Sequence, residues 1–179
     1  MALKPLPKIS IIVPSLNQEK YLERTLCSIL DQNYQKLELI VIDGGSKDGS
    51  SGIIRKHEHQ MKFWCSEPDG GQTQGIIKGF THATGEILCF LNSDDLFEPG
   101  ALNEVGEYFS RHPDVDAVYG DTVWIDGEGK ILRRHKEIPF NRFIWLNTYN
   151  YIPGMSMFWR RTQPIVPVVS PQISDNVVR

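Results

Sequence analysis

The sequence predicts an α/β fold, a Rossmann-like, mostly parallel sheet with helices on both faces. Three observations predict it. Apolar, β-branched runs alternate with helically spaced apolar residues over the first two-thirds of the chain, the pattern of βαβ units. The run Glu86 to Leu91 reads as a buried strand, and a loop follows it directly. Acidic residues recur after consecutive strands, at Asp43, at Asp69 and at Asp94–Asp95. In a doubly wound sheet these loops gather at one edge, where ligands bind.

Ile9 to Val13 is the first strand, stopped by Pro14. Asn17 is the expected cap of a helix carrying Tyr21, Leu22, Thr25, Leu26, Ile29 and Leu30 at helical spacing. Leu37 to Ile42 is the second strand, ended by Asp43-Gly44-Gly45. Ser46 or Asp48 is expected to cap a second helix running to about His57. Lys62 to Cys65 is a short third strand. Glu67-Pro68-Asp69-Gly70-Gly71 is a loop, because proline and paired glycine break regular structure. Gln72 to Thr81 reads as a helix despite Gly75 and Gly79. After the fourth strand, Pro99 suits the first turn of a helix to about Arg111. Val115 to Tyr119 is strand five. Asp126-Gly127-Glu128-Gly129 turns a hairpin between Thr122–Ile125 and Lys130–Arg134. Phe140 to Leu146 is a further helix, and Tyr151 to Trp159 holds a strand interrupted by Pro153-Gly154. Residues 1–161 form one domain. Residues 162–179 carry Pro164, Pro167 and Pro171, and read as an extended, poorly ordered tail.

With 179 residues, a single domain buries about 70% of its unfolded surface. The net charge of -3 offers no broad basic field, which argues against nucleic acid as a partner. Cys27, Cys65 and Cys89 are odd in number and lie in apolar stretches. They read as reduced core thiols of a cytoplasmic protein. The N-terminus lacks the apolar segment of a signal peptide, and no apolar run reaches the ~18 residues of a membrane helix. Peripheral attachment to the inner face of a membrane stays open.

A lone loop carboxylate is ordinarily a turn residue. The paired carboxylates of Asn92-Ser93-Asp94-Asp95 need a compensating charge, and a hard cation carrying phosphate oxygens supplies one. Gly44, Gly45, Gly70 and Gly71 let backbone approach a ligand. Neither a GxGxxG nor a GxxxxGK[ST] loop follows the first strand, so a dinucleotide fold or P-loop is unsupported. His57, His59 and His82 read as surface residues, and no His/Cys spacing suggests zinc.

Four segments, ISIIVPSLNQEKYLERTLCSILDQNY, LELIVIDGGSKDGS, SEPDGGQTQGIIKGFTHATGEILCFLNSDDLFEPGAL and DAVYGD, resemble in order and spacing the family-two glycosyltransferases of GT-A fold. The resemblance covers about Lys8 to Arg161. It implies that Pro14, Leu16 and Glu19 border the nucleotide base and ribose, and that Asp43 hydrogen-bonds the base. It implies that Asp69 and Lys78 line the nucleotide side of the cleft. Asp94 would contact the ribose or the metal's water shell, and Asp95 would ligate Mg²⁺ or Mn²⁺ on the diphosphate. The implied donor is a nucleotide-diphosphate sugar, with a UDP-sugar foremost. The implied acceptor is a glycan or lipid-linked hydroxyl in polysaccharide or cell-envelope synthesis.

Two departures stand out. Relatives often carry Asp and Asn where this chain has Gln74 and Ile77. An inverting transferase also needs a general base for the acceptor hydroxyl, and the family's acidic base lies beyond the segment ending at Arg161. The chain reads as truncated or altered there, with Asp121 only a fallback. Two readings therefore stand, an inverting glycosyltransferase and a nucleotide-sugar-binding remnant without transfer activity. A nucleotidyltransferase is weaker, because Pro14 to Asn17 does not resemble its basic, glycine-rich loop.

Overall fold

The computed structural model describes residues 5–148, 151–161 and 177–178. The chain runs β1 (Ile9–Ser15), α1 (Leu22–Leu30), β2 (Leu37–Asp43), α2 (Ser50–Lys56), β3 (Phe63–Ser66), α3 (Gln72–His82) and β4 (Ile87–Phe90). It continues through α4 (Ala101–Arg111), β5 (Ala117–Tyr119), β6 (Thr122–Ile125), β7 (Ile131–His135) and α5 (Arg142–Asn147). β8 (Met157–Arg160) and β9 (Val177–Val178) complete it. The main sheet has the order β3-β2-β1-β4-β8-β5-β9, and β6 and β7 form a separate hairpin. Among the described residues, only β8 runs against its neighbours in the main sheet. Of the expected tail, 162–176 and 179 lie outside the described residues, while 177–178 pair with β5.

The pleat of β1 sorts its side chains onto two faces. Ile9, Ile11 and Val13 enter a core with Leu22, Leu26 and Ile29 of α1, Ile54 of α2, and Leu102 and Phe109 of α4. Ile12 enters the opposite core with Ile40, Ile42, Leu88 and Phe80 of α3. Helices therefore cover both faces, as expected. The glycines of α3 also have a reason. A Cβ at Gly79 would lie 2.4 Å from Cγ2 of Ile12, so the helix backbone rests directly on β1. The close contact offsets the ~1 kcal/mol that a helical glycine costs.

Local corrections concern helix starts. Asn17 has φ 54, whereas a cap residue takes extended backbone. Its Oδ1 accepts the Lys47 N–H at 2.8 Å instead, and α1 begins after Tyr21 without a side-chain cap. Asp48 receives the Ser50 N–H at 3.0 Å, but Gly49 is the residue at the cap of α2. Pro99 precedes α4, because Gly100 makes a left-handed turn (φ 88) before Ala101. His57 is half-buried, 3.7 Å from Glu23, not a surface residue.

Two polar devices tie the sheet to its surroundings. Glu38 on β2 is buried and accepts from Ser10 Oγ at 2.6 Å, the Thr84 N–H at 2.8 Å, the Thr84 hydroxyl and Lys8 Nζ at 3.3 Å. Desolvation pushes its pKa up, but these donors outweigh it and hold the carboxyl at about 2. Arg160 of β8 donates to the carbonyls of Val115, Phe109 and His112 at 2.8, 2.9 and 3.1 Å. It thereby satisfies the C-terminal end of α4, where a cation also meets the helix dipole favourably.

Because the folded pKa of Glu38 is depressed, its stabilisation is complete above the unfolded value near 4.5 and is lost as pH falls towards 2. The loss is expected to be on the order of 3 kcal/mol. Urea unfolding across that range should give a flatter stability profile for Glu38→Gln than for the parent. Arg160→Met is expected to lower stability by about 3 kcal/mol, since three partly buried carbonyls lose a charged donor. Thermal melting at neutral pH measures it.

Candidate functional site

The chain lays β2 and β3 outward on one side of β1, then returns across it to place β4 on the other. The strand order reverses at β1, and a crevice opens outside the carboxyl ends of β1 and β4. A cleft of ≈ 350 Å³ occupies it, a volume suited to a small ligand. Pro14, Ser15, Leu16 and Gln18 form one wall. Asp69, Gly71 and Gln72 come from the β3–α3 loop, and Asn92, Ser93 and Asp94 from the loop after β4.

Each wall is held by local geometry. Asp69 Oδ1 accepts the Gly71 N–H at 2.8 Å. Its carboxylate lies over Gly44 and Gly75, where a Cβ would come within 3.2 and 3.1 Å of its oxygens. The glycines thus make the space that Asp69 fills. Asn92 links two walls. Its Oδ1 accepts from Gln72 Nε2 at 2.7 Å, and its Nδ2 donates to Asp95 Oδ2 at 2.9 Å. The acidic loop is fastened below by Thr25, whose hydroxyl donates to the Ser93 carbonyl at 2.9 Å.

The predicted site residues divide into two groups. Pro14, Leu16, Asp69 and Asp94 line the cleft, and Asp95 is reached through Asn92. The others are engaged elsewhere. Asp43 is fully buried, and accepts from the hydroxyls of Ser46 and Ser66 and the Ser46 N–H. Glu19 accepts the Gly49 N–H at 3.0 Å, while Asp48 accepts the Glu19 N–H at 3.0 Å. These bonds lace the β1–α1 loop to the β2–α2 loop. Lys78 pairs with Glu67. Asp121 accepts the Glu137 N–H at 2.9 Å, beside the hairpin. Ser15, Gln18 and Gln72 were given no role from sequence, and Asn92 entered only as the opening of the acidic run. Two of them had a signal, since Gln72 follows a glycine pair at a helix start and Asn92 opens the acidic run.

Asp95 is half-buried. Desolvation pushes its pKa up, the neighbouring charge of Asp94 adds to this, and the Asn92 hydrogen bond counters it. A cation beside it would relieve both penalties. Among the described residues no cluster of three or more His, Cys, Asp or Glu side chains forms a protein-only metal cage. Two adjacent carboxylates fit Mg²⁺ or Mn²⁺, which take one or two carboxylates and share their remaining sites with phosphate and water.

Comparison with known proteins follows the same geometry. An uncharacterized glycosyltransferase of Mycobacterium tuberculosis is 33% identical over 155 residues, 86% of this chain and 58% of the relative. The chain thus spans little more than half of that protein's length. A Campylobacter jejuni GalNAc(5)-diNAcBac-PP-undecaprenol beta-1,3-glucosyltransferase is 32% identical over 106 residues, 55% of this chain and 33% of the relative. Staphylococcus aureus TarS 1-349 shares the GT-A fold, with a TM-score of 0.66 at 22% identity over 86% of this chain and 47% of that one. The mannosyltransferase PcManGT from Pyrobaculum calidifontis, solved in complex with GDP-Man and Mn²⁺, has a TM-score of 0.58 at 27% identity, covering 65% of this chain and 36% of that one. The family description "Glycosyl transferase family 2" matches residues 10–173, extending past Arg161. With fold, cleft and that match in agreement, the chain belongs to glycosyl transferase family 2.

Proposed function

We propose that this chain is the donor-binding part of an inverting glycosyltransferase, which moves a sugar from a nucleotide diphosphate to an acceptor hydroxyl. The observation that carries the reading is the cleft at the switch point, with Asp69 and Asp94 on its walls and the desolvated Asp95 behind Asn92. Pro14 and Leu16 offer apolar walls for a base and ribose. Asp69 and Asp94 accept hydrogen bonds from ribose or sugar hydroxyls. Asp95 would hold Mg²⁺ or Mn²⁺, with Asp94 at the ribose or the metal's water shell, and the ion when bound would offset the charge that grows on the leaving diphosphate. Asn92 keeps the Asp95 carboxylate oriented through its amide N–H. Asp43, Glu19 and Lys78 keep their proposed places on the nucleotide side, where Asp43 and Glu19 also brace the loops.

A UDP-sugar is the first donor to test, with GDP-sugars next, given the GDP-Man complex of PcManGT. A lipid-linked glycan acceptor in cell-envelope synthesis finds support in the name of the Campylobacter relative. A cytoplasmic compartment is supported by three free cysteines. No helix of the described residues is long and apolar enough to cross a membrane. Binding without transfer is the second reading. It is favoured by the engagement of Asp121 with the Glu137 N–H, which leaves no acidic base on the cleft wall beyond Asp69 and Asp94 among the described residues.

Calorimetric titration with UDP and GDP, with and without Mn²⁺, followed by donor hydrolysis, separates the readings. Metal-dependent binding with turnover supports the transferase. Binding alone supports the second reading, and no nucleotide binding refutes both. Asp95→Asn is expected to weaken Mn²⁺-dependent UDP binding by about 10-fold or more. The same change should hold or raise the melting temperature of the ligand-free chain at pH 7. The sign follows from the raised pKa. The ionised carboxylate is the unfavourable form, so its cost appears as pH rises through the folded pKa.

A further inference from the structure

Between β5 and β8 the chain makes one long excursion. Tyr119 pairs with Met157, so both ends of the excursion sit at the carboxyl edge of the sheet, the edge that holds the cleft. Apart from Leu16, the exposed large hydrophobic side chains of the described residues all belong to it: Trp124, Ile131, Leu132, Ile138, Phe143 and Leu146. Phe143 is 73% exposed and Trp124 58%. Residues 122–147, the hairpin through α5, also carry five basic side chains against three acidic ones, in a chain of net charge -3. Of the acidic ones, Glu137 is buried, Asp126 accepts the Glu128 and Lys130 N–H groups within the turn, and Glu128 is exposed at the hairpin tip, whereas all five basic ones are exposed.

The apolar and basic groups are interleaved. Trp124 stands opposite Arg133 across the hairpin, which puts indole and guanidinium on one face. Leu132 and Arg134 share the other face, where Arg134 also reaches Glu98 at 3.3 Å. On α5, Phe143 and Leu146 lie three residues apart on one side, with Arg142 at the first position. Exposed hydrophobics are normal when scattered singly, but their concentration marks an interaction surface. Aromatic and aliphatic side chains among lysines and arginines suit the boundary between lipid headgroups and acyl chains. Apolar groups enter it, and cations meet lipid phosphates. Charge also sets orientation. An anionic bilayer attracts this segment and repels the net negative remainder.

We propose that the β6–β7 hairpin and α5 form a docking surface for an anionic lipid bilayer. Docking there turns the carboxyl edge of the sheet, and with it the cleft, towards the membrane. A lipid-linked acceptor would present its hydroxyl on that side, a consequence that rests on the function proposed above, whereas the docking itself does not.

Co-sedimentation with phosphatidylcholine vesicles, with and without phosphatidylglycerol, tests the surface. The chain is expected to sediment with the anionic vesicles only, and less as salt is added. Arg133→Glu combined with Lys136→Glu should weaken binding about 10-fold or more. Phe143→Ser combined with Leu146→Ser should weaken it by a similar factor. Circular dichroism checks that each pair folds, and either pair suffices. Absence of binding to anionic vesicles overturns the proposal, as does equal binding by the folded variants. A dimer in sedimentation velocity that Phe143→Ser with Leu146→Ser dissolves, without vesicle binding, overturns it in favour of a second copy of the chain. UDP titration of the same samples separates the two claims. UDP binding without vesicle binding removes only the docking surface, and vesicle binding without UDP binding removes only the proposed transferase.

Discussion

Burial of β1 on every side is the constraint from which the architecture follows. The strand is buried along all seven residues, has a parallel neighbour at each edge, and carries a helical layer on each face. A strand in that position must be apolar on both faces or have its polar groups paired, as Ser10 is with Glu38. Its two parallel neighbours also require crossover connections. The return from β3 over β1 to β4 is such a crossover, made by α3. Its glycine at 79 allows the helix to seat against Ile12. The same crossover brings the β3–α3 loop and the β4 loop to the end of β1. The cleft is therefore a geometric consequence of how the central strand is covered.

Two carboxylates show how the fold separates structure from chemistry. Glu38 and Asp95 both lose water on folding. Glu38 is compensated by hydroxyl, amide and ammonium donors, and its pKa falls to about 2. That is a settled structural group at the amino end of the sheet. Asp95 receives one side-chain donor, stands next to a second carboxylate, and its pKa rises. Asp95 thus keeps an uncompensated desolvation cost that an added donor or cation would relieve. Asp43, by contrast, is fully buried yet supplied by Ser46 and Ser66, and it braces the floor below the loops.

Much of the fold was legible because its signals are local. Strand runs, the hairpin turn at Asp126 to Gly129 and the helical spacing of Leu22, Leu26 and Ile29 all depend on neighbours within a few residues. Helix starts were less legible. Asn17 has the composition of a cap, but its side chain was claimed by Lys47, thirty positions away. Pro99 was expected inside the first turn of α4, but Gly100 makes a left-handed turn after it and the helix starts at Ala101. In each case a contact or a left-handed turn won over a propensity worth about 1 kcal/mol.

The candidate site divides along the same line. The sequence by itself determined the strand-and-helix alternation and the placing of acidic residues at strand ends, because both follow from period and position. It also carried the family motifs. Only the tertiary structure decided which of those residues face one cavity. Asp69 and Asp94 meet across the cleft with Gln72 and Asn92, whereas Glu19, Lys78 and Asp121 are bound to other partners. The physical reason is that a loop side chain takes its direction from hydrogen-bond partners supplied by distant segments, and no local pattern encodes those partners.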